Sequence, residues 1–321
     1  MKRILSGIQP SGRPHLGNYL GALKQHIEMQ KKFECFYFIA DLHALTTVRD
    51  PELMHSQTLD LAATYIALGL DPDKTVFFKQ SDLSEHAELC WIFDCITTMP
   101  FLERAHAWKD AQQKKKKEIS VGLFNYPVLQ AADILLYKPD LVPVGQDQKQ
   151  HIEMTRDIAE KFNHHFGETF KLPEPQIKEE VAVVPGIDGQ KMSKSYDNTI
   201  EIFAPEKELK SQVMSIVTDS TPLEESKDPK KCNVFNLYKL IASKEETKDI
   251  ADKYKKGGFG YGHAKTALLE KIMEQFAESR EKYQELINKN DYLSDVLKQG
   301  AQKAKKIAAP TLEEAKRKVG Y

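Results

Sequence analysis

Through residue 186 the sequence alternates short buried-strand patterns with amphipathic helical ones, and this constrains the fold more than any other feature. "RILSGI" (3–8) is a short apolar run, and the proline- and glycine-rich "QPSGRPHLGN" after it reads as a loop. "YLGALKQHIEM" then places Leu20, Leu23 and Ile27 at helical spacing. "ECFYFIADLHAL" (34–45) reads as a second buried strand, and "MHSQTLDLAATYIALGL" (54–70) as a helix ended by Gly69. "TVFFKQSD" (75–82) gives a third strand, and 139–162 a further strand, loop and helix. "EVAVVPG" (180–186) reads as the last strand. Strands alternating with helices predict an α/β fold with a doubly wound, parallel, Rossmann-like sheet. After about residue 200 strand signals vanish, and Leu268, Leu269, Ile272, Met273, Phe276 and Ala277 repeat with helical spacing. The expected division is an α/β domain over 1–199 and a C-terminal all-helical domain over 200–321. The last segment reads as one or two helices interrupted near Pro310.

The 321 residues suffice for two domains, and a 41% hydrophobic, 29% charged composition is that of an ordinary globular chain. The formal net charge of −1 announces no nucleic-acid partner by itself. It is unevenly spread: residues 1–200 carry net −4 and residues 201–321 net +3, so a local basic stripe remains open to RNA. Cys35, Cys90, Cys95 and Cys232 show no C-x-x-C spacing, which argues against zinc and against a disulfide framework. No stretch reaches membrane-spanning length. A cytoplasmic protein without a membrane partner is expected.

Parallel sheets bind ligands at the carboxyl ends of their strands, and three polar pieces fall there. In "GIQPSGRPHLGN", His15 and Asn18 stand at a helix start, where unpaired N–H groups attract anions; a plain tight turn explains the same residues. In "VPVGQDQKQH" (142–151), Asp147 can accept ribose hydroxyls or cap a helix. "GQKMSKSYDN" (189–198) sets Lys191 and Lys194 three apart in a polar, serine-rich loop, as a solvated turn or as a clamp for polyphosphate.

Taken together, these residues resemble the class I aminoacyl-tRNA synthetases. "HLGN" (15–18) is similar to the first class signature, HIGH, with its first histidine kept and Asn18 in place of the last; "KMSKS" (191–195) matches the second without a mismatch. "YPVLQAADILLY" (126–137) and "VPVGQDQKQHIE" (142–153) resemble stretches that mark the tryptophan members. The likeness continues through "VTDS" (217–220) and "GYGHAK" (260–265), and so covers most of the chain.

The resemblance implies activation of L-tryptophan by ATP with Mg²⁺, then transfer to the terminal ribose of the tRNA for tryptophan. Positioning and charge stabilisation at the phosphates carry such a reaction. It implies catalytic roles for His15, Asn18, Lys191, Lys194 and Ser195. ATP would be held by Gln9, Pro10, Ser11, Gly17 and Asn18, by Gly145, Gln146 and Asp147, and by Val184 with Lys191, Met192, Ser193, Lys194 and Ser195. Indole has one N–H donor and no acceptor, and Asp133 matches the family residue that accepts it. On residue type alone Asp133 also fits a helix carboxylate that pairs with a lysine or serves as a cap. Leu5, Val142 and Val144 are candidate pocket walls, although core positions explain them too; Tyr126, Gln130, His43 and Gln148 complete the implied tryptophan set. The family further implies a homodimer formed through the catalytic domain, an anticodon-reading helical domain, and a last helix that packs back onto the first domain.

Some residues depart from the family or stay ambiguous. Gln130 stands where many bacterial members carry methionine, and Gln146 where a glutamate is common. The run Lys114–Lys117 reads as a solvated loop, while members carry a phosphate-approaching lysine nearby. "GGFGYG" (257–262) reads as a helix–helix turn. His164 and His165 lack ligand partners, and Cys232 stands alone, so neither a resident metal nor an iron–sulfur cluster is expected. The rival readings are a tyrosine enzyme of the same fold and a catalytically silent RNA-binding relative.

Overall fold

The computed structural model describes residues 1–113, 119–177 and 184–321. Compactness groups the chain into two units. One comprises Met1–Gly12, His26–Glu179 and Lys289–Tyr321, the other Arg13–Gln25 and Glu180–Asn288.

The first unit is built on five parallel strands: β1 (Arg3–Ile8), β2 (Glu34–Ile39), β3 (Val76–Lys79), β4 (Leu141–Val144) and β5 (Glu174–Ile177). They lie in the order β3-β2-β1-β4-β5, with Leu5 opposite Phe36 and Ile4 opposite both Cys35 and Leu141. The order reverses between β1 and β4, which makes a crevice at their carboxyl ends. Surrounding helices bury an apolar core that includes Leu5, Phe36, Phe38, Phe78, Val128, Ile134 and Val142.

Three strand or helix boundaries differ from the sequence reading, and a fourth expected element falls largely outside the described residues. The second strand stops at Ile39, and Asp41–Ala44 turns into a short helix. Leu42 and Ala44 favour that turn, and the Asp41 carboxylate accepts from Ser81 N (2.9 Å) beyond β3. The third strand likewise ends at Lys79 and tightens into a 3₁₀ turn over Gln80–Asp82. The strand expected at 180–186 falls largely on 180–183, outside the described residues; Pro185 makes only an isolated bridge to Lys191. The final segment is one helix, Asn290–Val319, with Pro310 inside it. Its face of Ala301, Ala304, Ala308, Leu312 and Ala315 is buried in the core without a break at the proline. Gly300 on this helix meets β3 so closely that a Cβ there would lie 1.7 Å from the Phe77 carbonyl oxygen.

The second unit is helical. Its helices Glu206–Met214, Asn233–Ile241, Lys244–Lys256, Tyr261–Gln275 and Ala277–Leu286 bury Leu209, Val213, Leu237, Tyr254, Leu268, Ile272 and Phe276. Ser243 and Glu246 form a reciprocal capping box at the start of Lys244–Lys256. The glycine-rich "GGFGYG" is the turn between the third and fourth of these helices. Among the described residues no helix is long and apolar enough to cross a membrane.

Candidate functional site

In the first unit the site begins where strands end. Gln9, Pro10 and Ser11 follow β1, His43 follows β2, Gln80 follows β3, and Gly145, Gln146 and Gln148 follow β4. The loops after β2 and β3 interlock, because Leu42 N donates to Gln80 Oε1 (3.2 Å) and Ser81 N to Asp41.

Asp133 lies on the helix Val121–Leu135, in its last turns, where every other residue from Ala131 to Leu135 is apolar and buried. Its carboxylate is 1% exposed, and three side chains meet it. His43 Nε2 lies 2.7 Å from Oδ2; Gln80 Nε2 donates to Oδ1 and His86 Nδ1 approaches the same oxygen, both at 2.7 Å. Burial alone would raise its pKa, but the side-chain hydrogen bonds from His43 and His86 outweigh that and lower it to about 2. Asp133 is therefore an ionised carboxylate in an apolar wall, and not a helix cap or a lysine partner.

Tyr126, half-buried on the same helix, hydrogen-bonds His151 Nε2 at 2.6 Å and presents its ring edge-on to His43. Leu5 and Val142 are buried in the core and Val144 packs against it. Gln130 and Gln148 are half-buried, and Gln148 N closes a 3₁₀ turn on Gly145 O (3.0 Å). Gln9, Ser11, Gly145 and Gln146 are exposed, whereas Pro10 is buried; the side chain of Asp147 lies outside the described set.

The second unit holds the two class signatures in contact. His15 caps the helix that starts at Leu16: its Nδ1 accepts from Asn18 N (3.3 Å), while Asn18 Oδ1 accepts from His15 N (3.1 Å). Burial first, and the positive charge of Lys194 second, lower the His15 pKa to about 4. The ring is thus neutral near pH 7, and since Nδ1 accepts, Nε2 carries the proton. Gly17 N points at Met192 Sδ (3.3 Å), and Leu16 N donates to Ile200 O (2.8 Å).

Met192 and Val184 are buried and joined through Met192 N and Val184 O (2.9 Å), which anchors the loop and leaves Lys191 and Ser195 exposed and Lys194 half-buried. Ser193 caps the single turn Lys194–Tyr196. Asn198 ties the loop together: it accepts from Ser193 N (2.7 Å) and donates to Lys191 O (3.1 Å) and Asp188 (2.8 Å). A Cβ on Gly186 would strike the Asn198 side chain at 2.4 Å, so this packing requires glycine.

The structure therefore joins His15, Gly17, Asn18, Met192 and Lys194 in one cluster, and His43, Tyr126 and Asp133 in another. Sequence reasoning missed Gln80, His86, Tyr137 and Asn198. Only Asn198 carried a local signal, a polar residue closing the loop. The lysine run 114–117 lies outside the described residues. His164 and His165 sit edge to face, with His165 Nδ1 on Lys161 O (2.8 Å), and Cys232 is buried against the Tyr254 hydroxyl. Among the described residues no three His, Cys, Asp or Glu side chains group as metal ligands.

The family model "tRNA synthetases class I (W and Y)" matches residues 1–277. Tryptophan–tRNA ligase of Fusobacterium nucleatum is 53% identical over all of this chain and 98% of its own length. The crystal structure of tryptophanyl-tRNA synthetase from Campylobacter jejuni complexed with ADP and tryptophan superposes with a TM-score of 0.94 at 51% identity, covering 99% of this chain and 100% of that one. On these grounds the chain belongs to the class I tRNA synthetases of the tryptophan and tyrosine branch.

Proposed function

We infer that this chain is a tryptophan–tRNA ligase. It activates L-tryptophan with ATP to tryptophanyl-adenylate and pyrophosphate, then passes tryptophan to the 3′ terminal ribose of its tRNA. The observation that carries the choice of amino acid is Asp133, a buried ionised carboxylate on an otherwise apolar stretch of its helix. Its natural complement is a flat apolar ring with one N–H donor, which is indole.

In the first step a carboxylate oxygen of tryptophan attacks the α-phosphorus, and the bond to the bridging oxygen of the β-phosphate breaks. Negative charge grows on the departing pyrophosphate, which enters as the Mg²⁺ complex of ATP. Lys191 and Lys194 neutralise that charge. Neutral His15 donates from Nε2 to a phosphate oxygen without adding a full charge, with Gly17, Asn18 and Ser195 beside it; the family resemblance adds ATP-binding roles for Gln9 and the loop Gly145–Asp147. Such preorganised donors stabilise the transition state more than the ground state. Tyr126, Gln148 and His43 hold the amino acid, with Leu5, Gln130, Val142 and Val144 around the ring. In the second step a ribose hydroxyl of tRNA attacks the activated carbonyl and AMP leaves. The mainly helical C-terminal part reads the anticodon, and the protein works as a cytoplasmic homodimer; the family resemblance supports both assignments.

ATP–pyrophosphate exchange with tryptophan and with tyrosine tests this function. Exchange driven by tryptophan at least ~10²-fold better than by tyrosine is expected, because a phenol oxygen gains no donor from the Asp133 cluster. Equal exchange, or exchange with tyrosine alone, would assign the chain to the other branch; none with either would mark a silent relative.

A further inference from the structure

Asp133 does not act alone. An ionised carboxylate offers about four acceptor positions. Gln80 and His86 take both on Oδ1, and His43 takes one on Oδ2. Among the described residues one acceptor direction, on Oδ2, is left. The three donors on the carboxylate are spent on it, so they offer a ligand atom arriving there an acceptor only.

His86 is the member of this set that touches no exposed surface; it is 0% exposed. Its Nδ1 faces Asp133 and its Nε2 lies 2.9 Å from the Tyr137 hydroxyl, itself fully buried. Burial, and then the negative charges of Asp133 and Glu85, hold the Tyr137 phenol well above its usual pKa, so the hydroxyl keeps its proton. A protonated phenol donating to Nε2 fixes the imidazole proton on Nδ1, where it points at Asp133. Tyr137 thus sets the tautomer, and His86 passes that setting to the carboxylate. The rings of Phe38 and Phe78 flank His86 at 6.0 and 6.2 Å.

We propose that His86, locked by Tyr137, is a positioning residue for amino acid selection: it fills the second acceptor place on Asp133 Oδ1 and leaves one acceptor direction for a single N–H donor. The proposal rests on the tryptophan reading and explains why indole and not phenol suits the pocket. A phenol hydroxyl can give its proton to Oδ2, but its own oxygen then gains no donor from the Asp133 cluster, because His43, Gln80 and His86 are committed. Other titratable groups face this network. Cys90, on the helix of His86, has a thiol pushed up by burial, then by Asp94 and Asp133. Glu85 precedes His86 and pairs with Lys305 of the C-terminal helix at 3.2 Å.

The test is tryptophan-dependent pyrophosphate exchange from pH 5 to 9, with kcat and KM separated, for wild type, His86→Leu, His86→Asn and Tyr137→Phe. Each is also assayed with 3-benzothienylalanine, which replaces the indole N–H by sulfur. An asparagine amide can stand where Nδ1 stands, so His86→Asn retains the donor. His86→Leu is expected to lower kcat/KM for tryptophan roughly 10²-fold, chiefly through KM, and to reduce the preference for tryptophan over the sulfur analogue about tenfold. Losing a donor raises the Asp133 pKa from about 2, so an acid limb of kcat/KM that lies below the assayed range in wild type should move up toward it. His86→Asn should recover to within about fivefold of wild type, as the isosteric donor restores the bond. Tyr137→Phe, which frees the tautomer without touching Asp133, should shift preference and acid limb in the same directions by a smaller factor. It decides the matter if His86→Leu fails to fold. Equal losses for both amino acids with an unmoved acid limb, or no recovery in His86→Asn, would make His86 a plain packing residue and overturn the proposal. Absence of tryptophan-dependent exchange in wild type is a separate outcome and would overturn the tryptophan reading itself.

Discussion

The Asp133 cluster and the KMSKS loop solve opposite problems. The carboxylate is 1% exposed, and its neighbours Gln80 and His86 are each 0% exposed, so every polar atom there must be satisfied within the protein. Lys191 is exposed and Lys194 half-buried on a loop whose order comes from Asn198 and two buried anchors, Met192 and Val184. A buried hydrogen-bond network discriminates strongly because a wrong ligand leaves charges unpaired. Cations near water discriminate little, but they can follow charge as it moves during a reaction. The comparison teaches a division of labour, with the buried cluster choosing the amino acid and the loop accelerating the chemistry.

Four changes would break or sharpen that contrast. The largest effect is expected for Asp133→Ala, which strands three donors and removes the indole acceptor; kcat/KM for tryptophan should fall on the order of 10³-fold, mostly in KM. Near-normal tryptophan activation in this variant would remove Asp133 from the pocket. Lys194→Ala should lower the rate of adenylate formation by roughly 10²–10³-fold, the scale of one lost transition-state donor, with tryptophan KM nearly unchanged. Parallel losses in rate and tryptophan binding would make the lysine structural. Asn198→Ala, which unties three loop hydrogen bonds but touches no proposed substrate atom, should reduce kcat about tenfold through mispositioned lysines. A rise in tryptophan KM instead would show that the loop also shapes the amino acid pocket. The smallest effect concerns salt. Raising ionic strength from 0.05 to 0.5 M should weaken ATP use a few-fold through the exposed lysines and leave discrimination against tyrosine unchanged, because buried pairs are screened far less. Discrimination that falls with salt would contradict a dry carboxylate cluster.

The same contrast explains what could be read from the sequence. β1, β2, β3 and β4 announce themselves by apolar runs, and the class signatures by local spelling, so the sheet and the loop were legible. β5, "EPQI", was not: it has a proline and a glutamate and is nowhere fully buried, as suits an edge strand. "ADLHAL" read as more strand, because nothing local shows that the Asp41 carboxylate will meet Ser81 N from beyond another strand. Pro310 read as a break. The helix continues because Pro310 lies on its exposed side while its core face is uninterrupted, so the lost hydrogen bond leaves a carbonyl near water. His86, Gln80 and Tyr137 are 47, 53 and 4 residues from Asp133, and only the fold brings the first two to it. Asn198 stood in plain view, but its role depends on three backbone and side-chain partners that no spacing encodes. Likewise, compactness gathers 13–25 with 180–288 and places 289–321 with the sheet, a grouping that linear composition does not contain.

The division of labour is tested most directly by the burst rate of adenylate formation at saturating tryptophan, comparing Lys194→Ala with the double variant Asp133→Asn, Lys194→Ala. Indole and the reacting carboxylate are opposite ends of tryptophan, so a change confined to indole recognition should disappear once the site is filled. The account predicts equal burst rates for the single and double variants, within about twofold, since independent sites add without interaction. A further drop of tenfold or more in the double variant would contradict it, and would show that Asp133 contributes to the chemical step as well as to the choice of amino acid.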